Sequence, residues 1–190
     1  SIAEQGINAI EKAFRLGEKV LEYDYQLRSH IHPLLGSRKC TITMIKGGTK
    51  ENIVPESCIL LLDRRFNPDE TPSDAEKEIR AILEQLTFRD SDFKYQIERT
   101  MVYEPAEIPV DSPIAHVLRK YAAQVSGVSK DPFGMVASTD VRNFINDAGI
   151  PAVNFGPGDI QQPHTFNESI EIQQVVDCAK ILILSMAELL

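Results

Sequence analysis

Residues 150–168 read I-P-A-V-N-F-G-P-G-D-I-Q-Q-P-H-T-F-N-E. The opening run, Ile150 to Phe155, is apolar and predicts a short buried strand. Gly156-Pro157-Gly158 then predicts a tight, irregular turn, because glycine takes positive φ without steric cost and proline stiffens the chain. A loop that follows a parallel strand is where open α/β sheets place their sites. His164 lies in this loop, with Glu168 four residues on, and histidine is the commonest ligand of zinc-like metals. A glycine turn carrying a surface histidine fits the same residues, since a single histidine makes no metal site.

Outward from this stretch, helix and strand patterns alternate. Ser112-Pro113 caps a helix to about Ser126, with Ile114, Leu118, Tyr121 and Val125 inward and Gly127 as its stop. Phe133 to Ala137 is a short apolar segment, Thr139 to Asp147 reads as helix, and Ile172 to Leu190 as a long closing helix. This alternation predicts α/β layering with a mostly parallel sheet. The proline-flanked break at Pro105 to Pro109 places a boundary between a first domain, 1–106, and a second, 107–190.

The first domain has a different order. Residues 4–24 read as an amphipathic helix, Cys40 to Ile45 and Ser57 to Leu62 as an antiparallel pair, and Thr71-Pro72 starts a second helix. Phe93, Tyr95 and Ile97 alternate with Lys94, Gln96 and Glu98, the pattern of a half-exposed strand. The order α-β-β-α-β is one leading strand short of the ferredoxin-like β-α-β-β-α-β unit. The fold class expected is therefore α/β: an α+β ferredoxin-like domain followed by part of an α/β domain.

Composition closes several routes. A net charge of −8 over 190 residues argues against binding nucleic-acid phosphates. No apolar run approaches the roughly 18 residues of a membrane span. Cys40, Cys58 and Cys178 are an odd number without C-x-x-C spacing, which fits reduced thiols in a cytoplasmic protein. His30-Ile31-His32 precedes a proline in a linker with no nearby carboxylate and reads as a surface loop. The chain opens on Ser1 with a helical pattern close behind, the expectation for a piece of something longer.

Taken together, Gly6-Ile7-Asn8-Ala9-Ile10, Asn52-Ile53-Val54-Pro55, Asp63-Arg64-Arg65, Ser138-Thr139-Asp140 and Gly156-Pro157-Gly158 with His164 and Glu168 carry a family pattern in their order and spacing. The chain resembles the zinc-dependent aminoacylase and carboxypeptidase family that includes acetylornithine deacetylase and succinyl-diaminopimelate desuccinylase. The resemblance runs over nearly the whole sequence. It implies a lid, or dimerisation, domain followed by the C-terminal segment of the catalytic domain, and a homodimer through the lid. It also implies hydrolysis of an amide in an N-acyl amino acid or small peptide, assisted by two zinc (or cobalt) ions and a glutamate general base. The family's H-x-D pair, bridging Asp, Glu-Glu pair and remaining carboxylate ligand have no counterpart here, so no general base is assigned. His164 is the one ligand that the pattern places in this chain, and the polypeptide alone is expected to be inactive. A non-catalytic dimerisation or binding module of the same descent is the alternative.

The resemblance also implies roles for single residues. His164 would be a metal ligand, with Glu168 either orienting its ring or solvated. Arg65 would bind the substrate carboxylate through its guanidinium fork, or else pair with Asp63 or Asp69 at the surface. Asn52, from the neighbouring loop, would join Arg65 in one polar pocket. Arg64 points to the opposite strand face and reads as solvated. Gly156 and Gly158 would offer N–H donors, Ser138 and Thr139 hydroxyls, and Arg142 a contact to an acyl or side-chain carboxylate. A helix-surface arginine near Asp147 fits Arg142 equally.

Overall fold

The structure is a computed structural model that describes residues 6–163 and 165–190. By internal packing the chain divides into two compact units, Ser1–Pro105 and Ala106–Leu190.

In the first unit, helix α1 spans Ala9–Leu27 and starts where Asn8 caps it, its side-chain oxygen accepting the amides of Ile10 (3.0 Å) and Glu11 (3.3 Å). Two short strands, β1 (Ile31–His32) and β2 (Gly36–Ser37), pair in the linker that the sequence presents as a plain loop. Strands β3 (Lys39–Gly47) and β4 (Cys58–Arg65) form an antiparallel ladder from Gly47↔Cys58 at one end to Lys39↔Arg65 at the other, with a register shift between Ile42 and Met44. Helix α2 (Pro72–Arg89) has Thr71 as its cap and proline at its first position, where a missing N–H costs nothing.

The two helices cover one face of the ladder. Val20, Tyr23, Leu27 and Cys40 are buried together, with Leu16, Ile42, Leu62, Ile79 and Ile82 packed around them. The same Leu16, Ile79 and Ile82 also pack on a second cluster, Leu83, Leu86 and Phe93, joined by Tyr95 and Ile97. Residues 93–97 therefore lie under the same helical layer as the ladder. Their side chains alternate between inward and outward as expected. They have no ladder partner among the described residues, and the second edge of β4 is likewise unpaired there. A strand requires a hydrogen-bonded neighbour, and alternation alone cannot supply one.

In the second unit, α3 (Pro113–Ser126) ends at Gly127, whose φ of 69° is the left-handed stop that the sequence signals. It packs on α5 (Ile172–Leu189) around Ala115, Val117, Leu118 and Ile181. Between them α4 is a short helix, Val141–Asn146, shorter than the expected Thr139–Asp147. The expected mostly parallel sheet does not form among the described residues. Residues 150–155 run without a ladder, and Ile150 is 53% exposed where a buried strand was expected. The extended pieces of this unit, 133–137 and 150–155, do not pair with each other, so each lacks the neighbour that would make it a strand. The mixed α/β class itself stands.

Candidate functional site

Arg65 is the last residue of β4, on the face turned away from the helices. Its side chain is 60% exposed, and its Nε and Nη2 donate to Asp63 Oδ2 at 3.0 and 2.9 Å. Asp63 and Arg65 share this face because strand side chains alternate with period two. An ion pair this open is worth about 0–1 kcal/mol, so an incoming carboxylate can exchange with Asp63 at low cost.

Asn52 is exposed in the loop at the opposite end of the hairpin. From Cys58 to Arg65 the strand runs about 23 Å at roughly 3.3 Å per residue. The loop is held at the start of α1, where Ala9 N–H donates to the Pro55 carbonyl at 2.9 Å. The expectation that Asn52 and Arg65 share one pocket is therefore incorrect within a single unit. The spacing in sequence gave closeness along the chain, and the long extended hairpin converts it into distance.

Arg64 is the larger correction. Its side chain is 6% exposed, and Glu70 beside it 5%. Nη1 and Nη2 donate to Glu70 Oε1 and Oε2 at 3.2 and 2.7 Å, a fork-on-fork pair. Nε donates to the Tyr23 hydroxyl at 2.9 Å, and Nη1 also donates to the backbone carbonyl of Arg65. The guanidinium sits 5.6 Å from the Tyr23 ring centre and 5.7 Å from that of Phe66. The Tyr23 hydroxyl in turn donates to Glu78. Burial works against the Arg64 charge, but the hydrogen bonds it donates to Glu70 and Tyr23 outweigh it and raise its pKa. Burial, and then the Glu78 contact, push the Tyr23 hydroxyl well above the ordinary phenol range. A signal for this was present in the sequence: Leu60, Leu62 and Arg64 share one strand face, and that face is the apolar one.

Glu70 gathers further groups. It accepts the Asn67 amide at 3.1 Å and lies 3.1 Å from Arg38 Nε, while Arg38 Nη2 donates to Asp69 at 2.7 Å. The turn after β4 is thereby tied to the residue preceding β3. In the β1–β2 loop, His32 Nδ1 accepts the amides of Leu34 and Leu35 at 3.2 and 3.3 Å. This gives that ring nitrogen a local structural partner.

In the second unit, Ser138 is exposed and Thr139 half-buried. Thr139 Oγ1 accepts from Asn154 Nδ2 at 3.2 Å, which brings Ser138-Thr139-Asp140 beside the segment leading into Gly156-Pro157-Gly158. Arg142 is half-buried on α4. A Cβ at Gly156 would meet no atom within 4 Å. Gly158 adopts φ +99°, and its N–H donates to Gln174 Oε1 on α5 at 2.9 Å. That donor is engaged inside the chain, not open to a ligand. His164 lies outside the described residues. Gln162 Oε1 accepts the Ser169 amide at 3.0 Å. Glu168 is exposed.

Among the described residues no three His, Cys, Asp or Glu side chains gather in a way that could hold a metal ion. The zinc ions implied by the resemblance are not accommodated by these residues alone. Among the same residues no helix is long and apolar enough to cross a membrane.

Residues 1–91 match the family described as the peptidase dimerisation domain. The first unit is thus similar to that domain family over most of its length. Similarity extends past the dimerisation domain into the second unit. The N-formyl-4-amino-5-aminomethyl-2-methylpyrimidine deformylase of Bacillus subtilis (strain 168) is 28% identical over 94% of this chain and 45% of its own length. The acetylornithine deacetylase of Myxococcus xanthus is 24% identical over 77% of this chain and 37% of its own. In fold, the chain resembles the M20 family metallo-carboxypeptidase Sso-CP2 from Sulfolobus solfataricus, with a TM-score of 0.65 and 19% identity. That likeness covers 97% of this chain and 46% of the other. The chain thus spans less than half the length of these relatives.

Proposed function

We propose that this chain is the dimerisation domain and the following catalytic-domain segment of a metal-dependent hydrolase of amide bonds in N-acyl amino acids or small peptides. The observation that carries this reading is that similarity to deacylating relatives continues through both units, over 94% of the chain. Arg65 is the group proposed to receive the substrate carboxylate. It stands at a strand end, open to solvent, with a planar fork that matches a carboxylate and a partner, Asp63, that is cheap to displace.

His164 is proposed as a zinc ligand, with Glu168 beside it in sequence. Ser138, Thr139, Arg142, Gly156 and Gly158 are proposed as substrate contacts, of which Gly158 would act through its turn, since its N–H is engaged. Asn52 would serve a different part of the assembly from Arg65. One histidine is too few for a catalytic zinc site, which uses about three protein ligands, so the isolated 190-residue chain is proposed to be inactive. A homodimer through the dimerisation domain is supported by the second edge of β3, unpaired among the described residues.

The test is hydrolysis of N-acetyl, N-succinyl and N-formyl amino acids by the full-length protein with zinc supplied. Turnover that is lost on chelation and restored by zinc supports the reading. The absence of any N-acyl hydrolysis by metal-loaded full-length protein would sink it. Arg65→Ala should raise KM for a carboxylated substrate about 10- to 100-fold, the range for a charge-assisted pair worth roughly 1.5–3 kcal/mol.

A further inference from the structure

The Arg64 guanidinium reaches its own neighbour. Through Nη1 it donates to the backbone carbonyl of Arg65, while Glu70 holds the two terminal nitrogens and Tyr23 accepts from Nε. Arg65 is also the terminal rung of the ladder, opposite Lys39. Strand ends fray unless something holds them. Here the last carbonyl of β4 is tied through one buried side chain to α1 and to the 66–70 turn. Holding that carbonyl restrains ψ of Arg65, one of the two soft backbone dihedrals of the residue, and so steadies the strand end from which its side chain leaves.

We propose that Arg64 and Glu70 are positioning residues for carboxylate recognition: their buried pair fixes the strand end that presents the Arg65 fork. This rests on the reading of Arg65 as the carboxylate-binding group. Neither residue touches substrate. Their effect is on the geometry of a bidentate contact, and misplacement of a binding group by about 1 Å is enough to weaken it severely.

The experiment uses full-length protein with an N-acyl amino acid and the same compound with its carboxylate amidated. The variants are Arg65→Ala, Glu70→Gln, Arg64→Lys and the double variant Glu70→Gln/Arg65→Ala. Glu70→Gln and Arg64→Lys should raise KM for the carboxylated substrate on the order of ten-fold, with kcat and the amidated substrate little changed. In the Arg65→Ala background, Glu70→Gln should add nothing further, because both act through one contact. Equal loss on both substrates, or a full additional loss in the double variant, would overturn the positioning role and leave Glu70 as a fold residue. If Arg65→Ala itself fails to distinguish the two substrates, the carboxylate reading falls and the inference with it. Should Glu70→Gln not fold, Tyr23→Phe keeps the ring and the fork-on-fork pair and removes the hydroxyl's bonds to Arg64 Nε and to Glu78. The same substrate discrimination is then read from it, with a smaller rise in KM expected and an absence of discrimination overturning the proposal.

Discussion

Asp24, in the last turns of α1, accepts the backbone N–H of Cys40 on its Oδ1 at 2.9 Å, while its Oδ2 takes Nε and Nη2 of Arg28 at 3.0 and 2.6 Å. A helix carboxylate thus satisfies a strand amide that the ladder leaves without a partner. Asp24→Ala should cost about 1–3 kcal/mol, the penalty for a buried donor left unmade. The pH dependence has a definite sign. Burial alone would push the Asp24 carboxyl up, but the Cys40 amide and Arg28 outweigh it and hold it below the ordinary carboxylate value. Its contribution is therefore present above the unfolded pKa of about 4 and is lost as pH falls through the folded value. Urea midpoints of wild type and Asp24→Asn, compared from pH 7 to pH 3, should converge at the acid end.

Cys40 behaves in the opposite sense. Burial pushes its thiol up to about 11. The folded protein favours the neutral form, so stability is intact below the unfolded thiol pKa of about 8.5 and declines as pH rises through about 11. A thiol reagent at pH 8 should label the half-buried Cys58 and Cys178 first and reach Cys40 only on unfolding. Rapid labelling of Cys40 in folded protein would contradict the placement.

Glu70→Ala and Arg65→Ala should separate cleanly in chemical denaturation. The first leaves Arg64 and Arg38 buried without their shared carboxylate, which should cost roughly 3–5 kcal/mol. The second removes one open partner of Asp63 and should stay within about 1 kcal/mol. Similar losses in both would mean that Arg64 has other compensation.

Gly156 and Gly158 belong to one motif but not to one backbone state. Gly158→Ala places a Cβ at φ +99° and should cost about 1–3 kcal/mol locally, seen as faster hydrogen exchange of the 156–174 segment. Gly156→Ala meets no atom within 4 Å and should leave that exchange unchanged. Equal effects would show that the turn is restrained by something other than φ.

The helices and the hairpin were legible because their signals are local. Thr71-Pro72 and Gly127 mark ends by the conformations those residues permit. The face of α1 was not legible: the three- and four-residue steps Ile7, Ile10, Phe14, Gly17 and Leu21 point to one apolar side, but Ala13, Val20, Tyr23 and Leu27 are the buried ones, and Phe14 and Leu21 are 62% and 65% exposed. What was not legible depends on partners distant in sequence. Residues 93–98 and 150–155 have strand-like composition but no hydrogen-bonded neighbour among the described residues. Arg64 could be assigned to a face from alternation, but its burial needed Tyr23, Glu70 and Glu78 to converge from α1, the turn and α2. A charged residue on an apolar face is a prompt to look for a buried counter-charge, and reading it as solvated passed over that prompt. Asn52 and Arg65 are near in sequence but stand at opposite ends of the hairpin, so the pair forms no pocket within one unit.

Helix α5 has one more consequence. Ile181 and Ser185 are covered, yet Val176, Leu182, Ile183 and Leu184 remain open on other sides of the same helix. A surface helix normally keeps one apolar stripe and turns charge to the water. A segment with several greasy sides gains more from any apolar contact than from water, whatever supplies that contact. Expressed as residues 106–190, it would behave as a client of chaperones, bind hydrophobic dyes and self-associate with rising concentration. Yield and solubility in the cell would then be governed by how long this helix waits before it is covered.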